Sequence, residues 1–173
     1  MSQDSDARDS VREMWRAFCA ERPDLADLDT PYAAWHFCDN QKDADELVEL
    51  VLAGQKRATA GALWSYEAEG EAIPAVGDFS VVTEWSGVAR CVIRTIAIEI
   101  MPFDEVTEEF AATEGEGDGS LEYWRRGHWA HFTREAELSG RMPTPDMPVV
   151  CERFEVVFPV PAHLGVAGPG GSS

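Results

Sequence analysis

Positive charge is what this sequence has least of. Against 32 Asp and Glu stand 14 Lys and Arg, a formal net charge of −18 over 173 residues. A surface this acidic repels a long polyanion, so any nucleic-acid contact must be local: a small basic patch, a short single strand, or a nucleoside without a phosphate chain. Lysine is scarcer still, with only Lys42 and Lys56, while every other basic side chain is arginine. No apolar run is long enough to cross a bilayer. The opening MSQDSDARDSVR has no basic segment leading into an apolar one, so no signal peptide is read and the cytoplasm is the expected compartment. The cysteines, Cys19, Cys38, Cys91 and Cys151, form no Cys-x-x-Cys pair. That argues against a zinc knuckle or a thioredoxin-like site and predicts buried free thiols. No internal repeat is found.

What is present is enough apolar sequence, 45%, for one domain with a real core. Val11, Met14, Trp15 and Phe18 have the spacing of an amphipathic helix over residues 7–22. A connecting loop rich in Pro and Asp follows. DADELVELVLAG starts with acids, carries Leu47, Val48, Val51 and Leu52 on one face, and stops at Gly54, as a helix cap requires. Beyond it, ATAGALWSYE, VGDFSVVTEW and ARCVIRTIAIEIMPF read as strand-like segments. A turn at WSGV pairs Phe79 to Thr83 with Arg90 to Ile100 as a hairpin. Both faces of the second strand are largely apolar, which places it in the middle of a sheet or a barrel wall. SLEYWRRGHWAHFTREAELSG returns to helical spacing, and VVCERFEVVFPV closes as a strand. The expected organisation is an N-terminal helix and loop over 1–34, a main domain over 35–160 and a flexible tail over 161–173. The order of elements predicts an α+β fold on a small curled sheet.

One constellation stands out. Gly54-x-Lys56-x-x-Thr59 is followed by Leu63-Trp64, by Val76-Gly77-Asp78 and by EGEGDGSLEYWRRGHWAHF from Glu114 to Phe132. This run resembles the ASCH domain family of the PUA-like superfamily, whose members share a Gly-x-Lys-x-x-Thr/Ser signature. The resemblance spans about residues 35 to 158. It implies a PUA-like small β-barrel flanked by helices. Small bacterial members of the family are amidohydrolases that deacetylate N4-acetylcytidine with a Thr, a Lys and a Glu; others are ribonucleases or RNA-binding modules. By the resemblance, Lys56 and Thr59 occupy the Lys and Thr positions. Glu114 is the best match to the acid, because it follows DEVTEEFAAT as the family's acid follows a short helical turn, and Glu116 is the competing choice. The extra N-terminal helix and the SLEYWRRGHWAHF segment mark a longer bacterial subgroup.

The chemistry can be argued separately. A threonine hydroxyl is a weak nucleophile until a base takes its proton, and a lysine amine can serve only when its surroundings favour the neutral form. A spacing of three on a helical turn puts both side chains on one side. A carboxylate that orients the ammonium also favours its charged form, so desolvation has to win. A pyrimidine needs a stacking face and polar partners. Trp64 and Trp124 are candidates to stack, Arg125, Arg126 and His128 to meet a carbonyl, ribose or phosphate, and Glu116 is a further substrate-binding candidate. Trp124 fits equally as a packing residue, Thr59 as a turn cap and Lys56 as a surface ion pair. No third ligand accompanies His128 and Glu122, so no metal is expected, and no cofactor is called for. Three functions follow as expectations: an amidohydrolase with Thr59, Lys56 and Glu114; a binding module for a modified nucleoside or short single-stranded RNA; or a ribonuclease using Lys56 with His128 and Arg125.

Overall fold

The computed structural model describes residues 3–159, and the expected tail lies outside them. The chain runs α1 (Gln3–Glu21), β1 (Tyr32–Trp35), α2 (Gln41–Leu52), β2 (Ala58–Ala62), α3 (Leu63–Glu69), β3 (Phe79–Thr83), β4 (Ala89–Pro102), a 3-10 turn (Phe103–Glu105), α4 (Glu108–Glu114), α5 (Leu121–Ser139) and β5 (Pro148–Phe158). The α+β class stands.

The helices begin and end for local reasons. Asn40 caps α2 by accepting from the Asp43 N–H at 2.9 Å, and Thr107 and Ser120 cap α4 and α5 in the same way. The predicted stripe of α1 buries Trp15 and Phe18 against Phe79, Val81 and Val92 of the sheet. Val48 and Val51 of α2 bury against Val82, Ile93 and Phe154. Helices α4 and α5 cover the third cluster, where Phe110, Trp124 and Phe132 meet Val149 and Cys151 of β5.

The five strands form one sheet in the order β1-β3-β4-β5-β2. Strand β4 lies in the middle, as its two apolar faces require, and Cys91, Val92 and Ile93 are all buried. Only β1 and β3 are parallel; the other pairs are antiparallel.

The expected barrel is corrected here to an open sheet, because β1 and β2 stand at its two ends and do not pair. β4 shifts register against β5 at Val92/Ile93 and at Thr95/Ala97. Such bulges bend and twist a strand. The edges consequently face a common cavity of about 640 Å³, lined by Tyr32 to Trp35 of β1 and by Thr59 and Ala60 of β2.

Three further local expectations change. ATAGALWSYE is a strand only to Ala62, after which Leu63 starts α3, since tertiary packing of Trp64 overrides local preference. Tyr32–Trp35, placed in or beside the connecting loop, is a strand because β3 offers it a parallel edge. Cys38 is exposed, whereas Cys19, Cys91 and Cys151 are buried free thiols. Among the described residues no helix is long and apolar enough to cross a membrane.

Candidate functional site

The site is built where two short loops lie against each other. After α2 the chain closes on itself: Gly54 N–H donates to Val51 O at 3.0 Å, and the N–H groups of Gln55 and Lys56 reach Leu50 O at 3.0 and 3.1 Å. The loop after α4 is clamped onto this turn. Arg57 N–H donates to Thr113 O at 2.9 Å and Gln55 Nε2 donates to Gly115 O at 2.9 Å. Gly115 has φ 68°, and a Cβ there would run into the Gln55 carbonyl. Only glycine tolerates both conditions.

The clamp fixes Lys56 among acids. Its side chain is 0% exposed, and Nζ donates to Ala58 O at 2.9 Å and to Glu116 Oε1 at 2.7 Å. Glu114 Oε1 is 3.6 Å from Nζ, and the Phe37 ring centroid lies 5.1 Å away. A buried charge needs partners. Here two carboxylates and one carbonyl supply them.

Glu114, 1% exposed, ends α4, where the helix dipole disfavours a negative charge. Three groups offset this: Lys56, the Trp124 indole N–H, which donates to Oε2, and His128, whose Nε2 lies 3.1 Å from Oε1. The His128 Nδ1 faces the Trp124 carbonyl at 2.9 Å and can only donate there. Burial opposes both charges, yet the pair wins. His128 and Lys56 hold the Glu114 carboxyl below its ordinary value, and Glu114 holds the His128 imidazole above its own. His128 also stacks on Trp124, with ring centroids 4.2 Å apart.

Above this cluster lies a cavity of about 270 Å³ bordered by Thr59, Glu114, Glu116, His128, His131 and Arg134. It shares Phe37, Cys38, Thr59 and Ala60 with the larger cavity between the sheet edges. Thr59 therefore faces both spaces, and no group among the described residues hydrogen-bonds its hydroxyl. Glu152 of β5 is its cross-strand partner. Cys38, at φ 58°, borders both cavities too. Burial of its inner side, with the Glu116 and Asp43 charges, pushes its thiol up to about 12. That thiol is no thiolate nucleophile.

With this geometry in view, the comparison with known families is decisive: the ASCH domain model matches residues 33–158. The chain belongs to the ASCH domain family. Domains of this family are PUA-like, nucleic-acid-interacting modules. A solved ASCH domain from Lactobacillus crispatus is 30% identical, with a TM-score of 0.78 over 86% of this chain and 94% of that one. A protein from Enterococcus faecalis is 32% identical, with a TM-score of 0.77 over 86% of this chain and 88% of its own. No curated protein matches.

Within this ASCH fold, Lys56, Glu114, Glu116, Trp124 and His128 come together. The helical turn expected to join Lys56 to Thr59 is absent, because Thr59 is already in β2 while Lys56 is in the preceding loop. Lys56 spends its N–H groups on Ala58 and Glu116 instead. Of the two acids, Glu116 makes the direct bond to Lys56, and Glu114 is tied to Trp124 and His128.

Trp64 lines neither cavity. It packs in the core and under Arg141, because α3 turns it inward, so it offers no stacking face there. Trp124 is 3% exposed and packs between Phe103, Phe110 and His128, holding Glu114 rather than offering a platform. Arg125 borders a separate cavity with Arg126 and Trp129 and donates to Asp104 O at 3.2 Å. The Lys56, His128 and Arg125 grouping needed for phosphodiester cleavage is therefore not assembled.

Sequence reasoning missed Glu152. An acid at an inward position of β5, between Val150 and Phe154, was the available signal. The aromatic run at Tyr32, Trp35 and Phe37, which walls the large cavity, was missed because its strand is only four residues long.

Proposed function

We propose that this ASCH-domain protein is a cytoplasmic hydrolase that cleaves an amide on a modified nucleoside of the N4-acetylcytidine type. Thr59 is the nucleophile, Lys56 its base, and Glu114 and Glu116 the acids that hold Lys56. The observation that carries this reading is a fully buried lysine, bonded to Glu116 at 2.7 Å, beneath a cavity that an unbonded threonine hydroxyl faces. Glu116 is 24% exposed on its side chain, so it links the buried amine to the cavity. For the attack Lys56 turns from Ala58 O and Glu116 towards Thr59 and, as the amine, accepts the Thr59 proton as the hydroxyl oxygen bonds to the acyl carbon. The C–N bond breaks, the departing nucleoside nitrogen takes that proton, and water releases acetate from Thr59. Free cysteines without disulfides among the described residues fit a reducing compartment.

Chromatography of N4-acetylcytidine incubated with the purified protein tests this. Cytidine and acetate should form, and Thr59→Val, which keeps the side-chain shape, should abolish their release. No product at high protein concentration refutes the hydrolase.

A second reading, a nucleoside or short single-stranded RNA binder without chemistry, is favoured by one observation. Lys56 donates to Ala58 O and Glu116 as a structural ammonium would. It predicts saturable binding with no product.

A further inference from the structure

Glu152 is a buried acid that the chemistry above leaves unused. It stands on β5 opposite Thr59 of β2, and cross-strand partners project to one face with Cβ atoms about 5 Å apart. Its side chain is buried, 3% exposed, and it borders the 640 Å³ cavity. Oε1 accepts from the Thr95 hydroxyl at 2.6 Å. Among the described residues nothing donates to Oε2, and no lysine, arginine or histidine lies within ion-pair distance of the carboxyl.

A carboxyl buried without a cation is costly, and an aliphatic side chain would continue the apolar face of β5 at no such cost. Burial, with the Asp78 charge added, pushes this acid up towards its neutral form. Oε2 has no donor among the described residues and the carboxyl borders the cavity, so it is free to hydrogen-bond a ligand there. Tyr66 shares that wall, and burial pushes its phenol up to about 12, which keeps it a donor. Its ring lies over Gly61, where a Cβ would approach it to 3.1 Å. Glycine two residues after Thr59 thus lets the phenol reach the cavity.

The remaining walls define the ligand. Trp35, Phe37 and Phe79 give it aromatic faces, no lysine or arginine borders it, and Glu71 and Asp78 add acid. Phosphate is disfavoured there, and an uncharged planar ring is accepted.

We propose that Glu152 is a specificity-determining residue that contacts the ligand directly, its Oε2 hydrogen-bonding the ring-nitrogen and carbonyl edge of an uncharged base held beside Thr59. This assignment rests on the nucleoside reading. Calorimetric titration of the full chain with N4-acetylcytidine and with cytidine tests it, using Glu152→Gln, which keeps hydrogen-bonding groups, and Glu152→Leu, which keeps volume.

Glu152→Gln should bind within about threefold of wild type, and Glu152→Leu about tenfold or more weaker with its thermal midpoint undiminished. Equal affinity of Glu152→Leu and wild type overturns the assignment, whether or not acetate is released. Weaker binding by Glu152→Leu, in a wild type that binds but releases no acetate, refutes the hydrolase and supports this inference. A folded wild type that binds neither nucleoside overturns both.

Discussion

Glu114 and His128 meet at 3.1 Å inside the domain, with the other imidazole nitrogen held by the Trp124 carbonyl. Glu114, lowered from 4.5, contributes stability that is present above that pH and is lost as pH falls through its folded value. His128, raised from 6.5, contributes stability that is complete below that pH and is lost as pH rises through its folded value. The pair is strongest between those limits. The difference in thermal midpoint between wild type and His128→Gln should therefore peak at mildly acidic pH and shrink on either side. A difference that ignores pH removes the ion pair.

Lys56→Met should be severely destabilising, because it leaves Glu114 and Glu116 facing each other without their cation. Losing one partner of a buried ion pair costs about 3–5 kcal/mol. Urea unfolding measures this, and a loss below about 1 kcal/mol would mean the cluster behaves as a solvated surface pair.

Gly115→Ala should weaken the fold and the site together. It forces an L side chain into φ 68° and drives its Cβ at the Gln55 carbonyl. The strained backbone alone costs about 1–3 kcal/mol. Turnover should fall with the thermal midpoint, since the same clamp sets Lys56 beside Glu114. A variant as stable and as active as wild type would show the clamp to be dispensable.

Glu152→Gln should be more stable than wild type at neutral pH. Burial raises the Glu152 carboxyl above 4.5, with Asp78 and Tyr66 facing it. An acid raised on folding costs nothing while protonated in both states. The cost appears as pH rises above the unfolded value. The midpoints of wild type and variant should thus converge below that pH and separate above it; the opposite trend would mean the carboxyl is ionised and compensated.

Cytidine 5′-monophosphate should bind no more tightly than cytidine. The cavity between β1 and β2 has Glu71, Asp78 and Glu152 on its walls and no lysine or arginine. Calorimetry of both ligands decides it, and a clear gain from the phosphate would place the ligand nearer Arg134 in the smaller cavity.

Much of the architecture was legible because long elements bury long, periodic faces. The stripe of Trp15 and Phe18 on α1, the apolar β4 and the end of α2 at Gly54 are all readable from spacing and end residues. Short elements were not. Strand β1 exists because β3 offers it an edge, and α3 begins where Trp64 finds a core. Among the site residues, Lys56, Glu114 and Glu116 stood out by motif. The tasks of Trp124 and His128 did not, because a helical face cannot say which carboxylate will meet it.

The sequence by itself determined the α+β class, the acidic surface that disfavours long nucleic acid, the main helices, and the motif that singles out Lys56, Thr59 and Glu114. Tertiary structure alone decided that Lys56 points inward to Glu116 rather than towards Thr59. It also decided that the sheet stays open, and that Glu152 stands beside Thr59 on one wall of the resulting cavity. The reason is physical. Propensity and periodicity act over a few residues, whereas the partners of a buried charge come from segments about sixty positions apart, Lys56 and Glu116, that only strand register and loop clamping bring together.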